Sequence, residues 1–165
     1  MLRPIALATL IGGTLDIAFA MILTLLYGLQ IDAMLRYVAS GPFPSAIEMG
    51  AAGAILGLVV HFALMAAMAT IFMVLIRLRP QLVRALYVAG VAYGILTYFA
   101  MNWVAVPLRF ETPLPSSPLA IATQLFAHVT LLGIPFAFVA ARYRGVLIRP
   151  EESTYSDAAS HVETI

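Results

Sequence analysis

The sequence predicts an all-α integral membrane protein, a four-helix bundle with both termini cytoplasmic, and three observations carry that prediction. Of its 165 residues 62% are hydrophobic and 10% charged, with a mean hydropathy of +0.99, against about 45–50% apolar and roughly 25% charged in soluble domains. The apolar residues gather in four runs, 5–27, 51–76, 85–106 and 119–141. Each matches or exceeds the roughly 20 residues needed to cross a hydrocarbon core of about 30 Å. Finally, the nine Arg fall unevenly about these runs: Arg3, Arg77, Arg79, Arg84, Arg142, Arg144 and Arg149 on one side, Arg36 and Arg109 on the other. By the positive-inside rule the first set is cytoplasmic. The connections are too short for a soluble domain, so residues 1–149 form one four-span unit and 150–165 a separate tail.

The first run must be distinguished from a cleaved secretory signal, because Ala18-Phe19-Ala20 has the small-residue spacing of a cleavage site. Asp16 inside the apolar stretch, and continuation through Leu26, favour a retained helix. Next come Ile31, Met34, Leu35 and Val38 at helical spacing with Gly41 as a stop, which predicts a short helix lying on the outer surface. The second and third runs are joined by a tight Arg-bearing turn. After the third, Pro107, Pro113, Pro115 and Pro118 disfavour helix and strand interiors and predict an extended outer cap over 107–118. Tyr27, Tyr37 and Trp103 fall near the outer boundary, where amphipathic rings settle. The tail is polar, acidic and poor in apolar anchors, so it is expected to be disordered, with His161 solvated.

Several chemistries are excluded at this stage. Without Cys there is no disulfide, thiolate nucleophile or Cys-ligated metal. No basic patch offers a nucleic-acid surface, and no nucleotide loop or nucleophile motif occurs. What remains is a set of polar residues inside the spans, where a group such as Asp costs about 2.5–3.5 kcal/mol at a helix centre and should face other helices. The first span carries Asp16 in a stripe of small residues. The second reads Gly53-xxx-Gly57-xxx-His61, the third Gly90-xxx-Gly94-xxx-Tyr98-xxx-Asn102, and the fourth Gln124-xxx-His128. At 1.5 Å per residue, Asp16, His61, Tyr98 and His128 all lie about 12–16 Å below the outer surface, with Asn102 and Gln124 about 6–8 Å deep, at an entrance. Gly53, Gly57, Gly90 and Gly94 mark close helix packing.

The combination Gly13-Thr14-Leu15-Asp16, Tyr37-Val38-Ala39-Ser40-Gly41, Leu56-Gly57 with His61, Tyr93-Gly94, and Met101-Asn102 with Val106-Pro107-Leu108 resembles a group of small bacterial four-span membrane proteins of unassigned function. The resemblance spans all but the tail. It implies a multi-pass place in the bacterial cytoplasmic (inner) membrane and supplies no catalytic residue.

Four functions compete on the residues. In a ligand-binding bundle, His61 and His128 coordinate haem or a divalent metal, Asp16 fixes a ring tautomer, and Gly57 leaves room beside a flat macrocycle. In an accessory or assembly protein the glycine faces dock another membrane subunit or a second copy. A proton or cation carrier would use Asp16 and the histidines as a relay. An enzyme acting on lipid would pair Asp16 or Glu48 with His61 as acid and base.

Overall fold

A computed structural model describes residues 1–148, so the expectation for the tail lies outside the described residues. Every regular element among these residues is helical. Four helices, Leu2–Leu26, Gly50–Leu78, Pro80–Phe110 and Pro118–Arg142, are long and apolar enough to cross a membrane, with mean hydropathies of 2.0, 2.4, 1.5 and 1.7. The first and second are uninterrupted, α1 (Leu2–Leu26) and α3 (Gly50–Leu78), and neither end-cap residue Met1 nor Met49 supplies a capping side chain. A helix satisfies its backbone internally, which is what hydrocarbon demands.

The third and fourth long helices are composite. The third consists of a 3₁₀ turn (Pro80–Ala85), α4 (Leu86–Phe99), a π turn (Ala100–Ala105) and α5 (Val106–Phe110). The fourth consists of α6 (Pro118–Phe126), a π turn (Ala127–Gly133) and α7 (Ile134–Arg142). Each π turn ends two residues before a proline, Pro107 or Pro135. Proline has no N–H to donate, and its ring crowds the carbonyl four residues back. Widening the preceding turn relieves that crowding without breaking the helix. The extended cap expected over 107–118 is therefore confined to 111–117, because Pro107 lies inside the helix. That helix stops at Glu111, whose left-handed φ of 53° ends the repeat. The Ser117 side chain then accepts from the Ala120 N–H to start α6.

The short amphipathic helix is α2 (Ile31–Ser40), followed by a 3₁₀ turn (Pro44–Glu48). It lies along the first turns of α3 rather than apart from it, with Leu35 and Ala39 buried. Gly57 and Gly53 make this possible: a Cβ at Gly57 would strike the Leu35 carbonyl, and one at Gly53 the Ala46 carbonyl. On its outward side Asp32 pairs with Arg36 at 3.0 Å.

Helix α1 packs between α3 and the fourth long helix, while α4 packs chiefly on the fourth. The last contact is backbone on backbone. A Cβ at Gly90 would sit 2.5 Å from the Gly133 carbonyl oxygen, and one at Gly94 would collide with that of His128. Between α3 and α4 the main link is side-chain mediated: the Tyr93 Oη donates to the Met68 carbonyl at 2.7 Å, and Phe72 lies 5.1 Å from the Tyr93 ring. Toward the end that holds Met1, Leu82 and Tyr143, the helices close on a dry core that includes Phe72, Met73, Ile76, Leu132 and Phe136.

Candidate functional site

Three helices bring ionisable groups to one level. Gly13, on the α1 turn before Asp16, lets α3 come close, since a Cβ there would meet Phe62 at 2.8 Å. Its carbonyl lies 2.9 Å from the Nε2 of buried His61. His128 stands in the π turn of the fourth helix, its Nδ1 2.9 Å from the Gln124 carbonyl. The Asp16 carboxylate is half-buried on α1, which packs against both α3 and the π turn that carries His128. Among the described residues it has neither a hydrogen bond nor an ion pair; the one described ion pair is Asp32 with Arg36.

The ring partners define the chemistry. A carbonyl oxygen can only accept, so the bonded nitrogen of each histidine carries the hydrogen. In the neutral rings the remaining nitrogens, Nδ1 of His61 and Nε2 of His128, are acceptors. Like the Asp16 carboxylate, neither has a hydrogen-bond donor among the described residues.

These residues do not suit the metal or the haem expected from the sequence. Among the described residues no group of three or more His, Cys, Asp or Glu side chains is disposed to hold a metal ion. For haem, the room expected beside Gly57 is filled by the Leu35 backbone of α2. His61 has also committed Nε2, the ring nitrogen farthest from its backbone, to Gly13.

The other expected residues divide. Tyr98 is 2% exposed and its ring lies edge-on to His128 with centroids 6.0 Å apart. Its Oη accepts from the Trp103 Nε1 at 3.2 Å. Asn102 serves its own helix, donating to the Tyr98 carbonyl at 3.2 Å. Gln124 lines a cleft of about 230 Å³ with Thr24, Tyr27, Met34 and Thr123. That cleft also includes Ala20, one turn from Asp16, and Gln124 itself is one turn from His128. On the opposite side Met65, one turn beyond His61, and Leu132, one turn beyond His128, belong to the dry core. The polar cleft beside Gln124 lies toward the α2 end. Glu48 is exposed at the end of its 3₁₀ turn and has no part in the cluster.

Sequence reasoning missed three participants. The Gly13 carbonyl is main chain and leaves no residue-type signal. Trp103 was read only as a boundary ring. The π turn under His128 had a signal in Pro135, seven residues on.

Four helices long and apolar enough to span a membrane define the class: a multi-pass membrane protein. Comparison with family models, with curated proteins and with solved structures gives no match to this chain.

Proposed function

We propose that this chain is a four-helix-bundle protein of the bacterial inner membrane, both termini cytoplasmic, that binds a small hydrogen-bond-donating cation at Asp16, His61 and His128 from the outer face. A proton is the simplest such ligand and an ammonium-type ion the next. The reading is carried by the Asp16 carboxylate, half-buried on a helix packed against those of His61 and His128 and without a hydrogen bond or ion pair among the described residues, while each imidazole has already given an N–H to a carbonyl. A carboxylate surrounded by apolar helices needs a proton or a cation beside it. The cleft lined by Thr24, Tyr27 and Gln124 supplies a polar approach. The dry core beyond Met65 and Leu132 favours a one-sided binding site over a relay running through the bundle. Sidedness rests on the seven-to-two distribution of Arg, and the bacterial location on the resemblance noted from the sequence.

The single Trp reports on this site. Trp103 bonds to Tyr98, and Tyr98 contacts His128. In mild detergent its emission should change as the pH is lowered and the site takes up a proton. Methylammonium should move the midpoint to lower pH, because it competes with the proton for the same acceptors. Asp16→Asn should abolish the methylammonium effect, while Glu48→Gln should leave it unchanged. A wild-type signal indifferent to both pH and methylammonium would refute the reading.

A further inference from the structure

A second cavity lies away from the ionisable cluster, between α3 and the third long helix. It measures about 320 Å³ and is walled by Val60 and Leu64 from α3, Met101, Ala105 and Val106 from the third helix, and Val38 from α2. These two long helices are tied together by Tyr93 and Phe72 nearer the dry core. Farther along, the π turn over 100–105 carries Met101 and Ala105 past α3. Leu64 and Ala105 are exposed, so the groove is open along its side. At one end it is capped by Tyr37 stacked on Phe110, with ring centroids 4.4 Å apart.

Arg109 stands at that capped end. Its Nε donates to the Gly41 carbonyl, and its Nη2 to the Ser40 carbonyl at 2.9 Å. Main-chain carbonyls fix the guanidinium but do not neutralise it. Among the described residues no carboxylate pairs with it, and its Nη1 has no partner. From Arg109 to Met101 is eight residues of helix, about 12 Å. The protein therefore presents an oriented, uncompensated cation at one end of a lipid-facing apolar slot about 12 Å deep.

We propose that this groove holds one acyl chain of an anionic phospholipid, with its phosphodiester on the free edge of Arg109. The charge decides the occupant. A helix from a second copy would bury the guanidinium against apolar side chains, at a cost that needs a facing anion, whereas a phospholipid carries its anion at the end of the chain. Arg also matches phosphate geometry, and its bonds to Ser40 and Gly41 leave it pre-oriented. The proposal is independent of the Asp16 cluster and stands or falls separately from it.

Native mass spectrometry of the full chain in mild detergent tests it, with dioleoyl phosphatidylglycerol and dioleoyl glycerol as probes of identical chains. Wild type should retain one phosphatidylglycerol. Dioleoyl glycerol should bind about tenfold more weakly, the loss of one charge-assisted contact. Arg109→Gln should erase the difference between the two probes, and Arg109→Lys should keep part of it. Ala105→Phe and Leu64→Trp fill the slot from opposite walls and leave Arg109 in place, so each should remove the adduct, and either one that folds suffices. Retention by a folded slot-filling variant, equal binding of the two probes by wild type, or a lipid-free dimer would each overturn the proposal.

Discussion

Replacing Gly94 by Ala tests the backbone contact on which the site is built. An added Cβ would collide with the His128 carbonyl oxygen and lie 2.7 Å from the Val129 Cα. Non-bonded carbons are comfortable at about 3.5–4.0 Å, so the third and fourth helices must separate by roughly 1 Å. The atoms in the way are main chain, so no flexible side chain can swing aside, and the cost belongs in the upper part of the range of about 1–3 kcal/mol for overpacking. At about 2–4 °C per kcal/mol for a chain of this size, a penalty of about 2–3 kcal/mol lowers the melting temperature by roughly 4–12 °C. The assay is thermal unfolding in mild detergent followed by Trp103 emission, which also reports on the Tyr98 and His128 contacts before melting begins. Gly28→Ala is the control: its φ of +70° carries a strain of about 1–2 kcal/mol, but nothing lies within 4 Å of the added carbon. It should melt about 2–8 °C below wild type but with native emission, so the emission separates the two variants. A Gly94→Ala protein with wild-type melting and unshifted emission would show that the two helices are not in backbone contact, and the placement of His128 would fall with it.

Three further outcomes follow from the same contacts. Asp16→Asn should accumulate and stay monodisperse in detergent, since an amide keeps the shape, whereas Asp16→Lys puts a cation beside two imidazoles and should fail to accumulate; normal yield of the Lys variant would place this position at a wet surface. His61→Ala removes a bond between helices and should destabilise by about 1–2 kcal/mol in steric-trapping or denaturant titration. His128→Ala breaks a bond within one helix and should cost less, so equal losses would contradict these pairings. Reporter fusions after Arg79 and after Arg109 should read cytoplasmic and external respectively, and the opposite pattern at both would invert the orientation read from the Arg distribution.

The long helices were legible because crossing hydrocarbon is a demand on local composition: a run of apolar residues records it without reference to partners. The expectation that Asp16, His61 and His128 share a level rested on depth alone, since helices of known rise put equal counts from one boundary at equal height. Gly57 was legible as a point of close approach but not for what approaches it. Sequence spacing offered a macrocycle, and the structure fills that space with the Leu35 carbonyl of α2, the helix that precedes α3. Such a partner is set by tertiary packing, which a one-dimensional pattern does not carry.

Proline accounts for the remaining difference. In soluble chains it commonly ends a helix, and that habit assigned Pro107 to an extended cap. With no water to satisfy a broken backbone, the helix instead continues through Pro107 by way of a π turn. The extra residue in that turn advances everything beyond it by about 100° around the axis. Gly90, Gly94 and Tyr98 face the fourth helix, and Asn102, the next member by count, lies within the wide turn. Asn102 bonds back to the Tyr98 carbonyl instead of lining the entrance. Met101 and Ala105, both within this turn, line the wall of the lipid-facing groove. In the fourth helix the wide turn falls on His128 itself, one turn after Gln124, where the imidazole takes the Gln124 carbonyl as its acceptor. Pro107 and Pro135 thus act at a distance: each leaves its helix unbroken, and each alters which residues the preceding turns present to their neighbours.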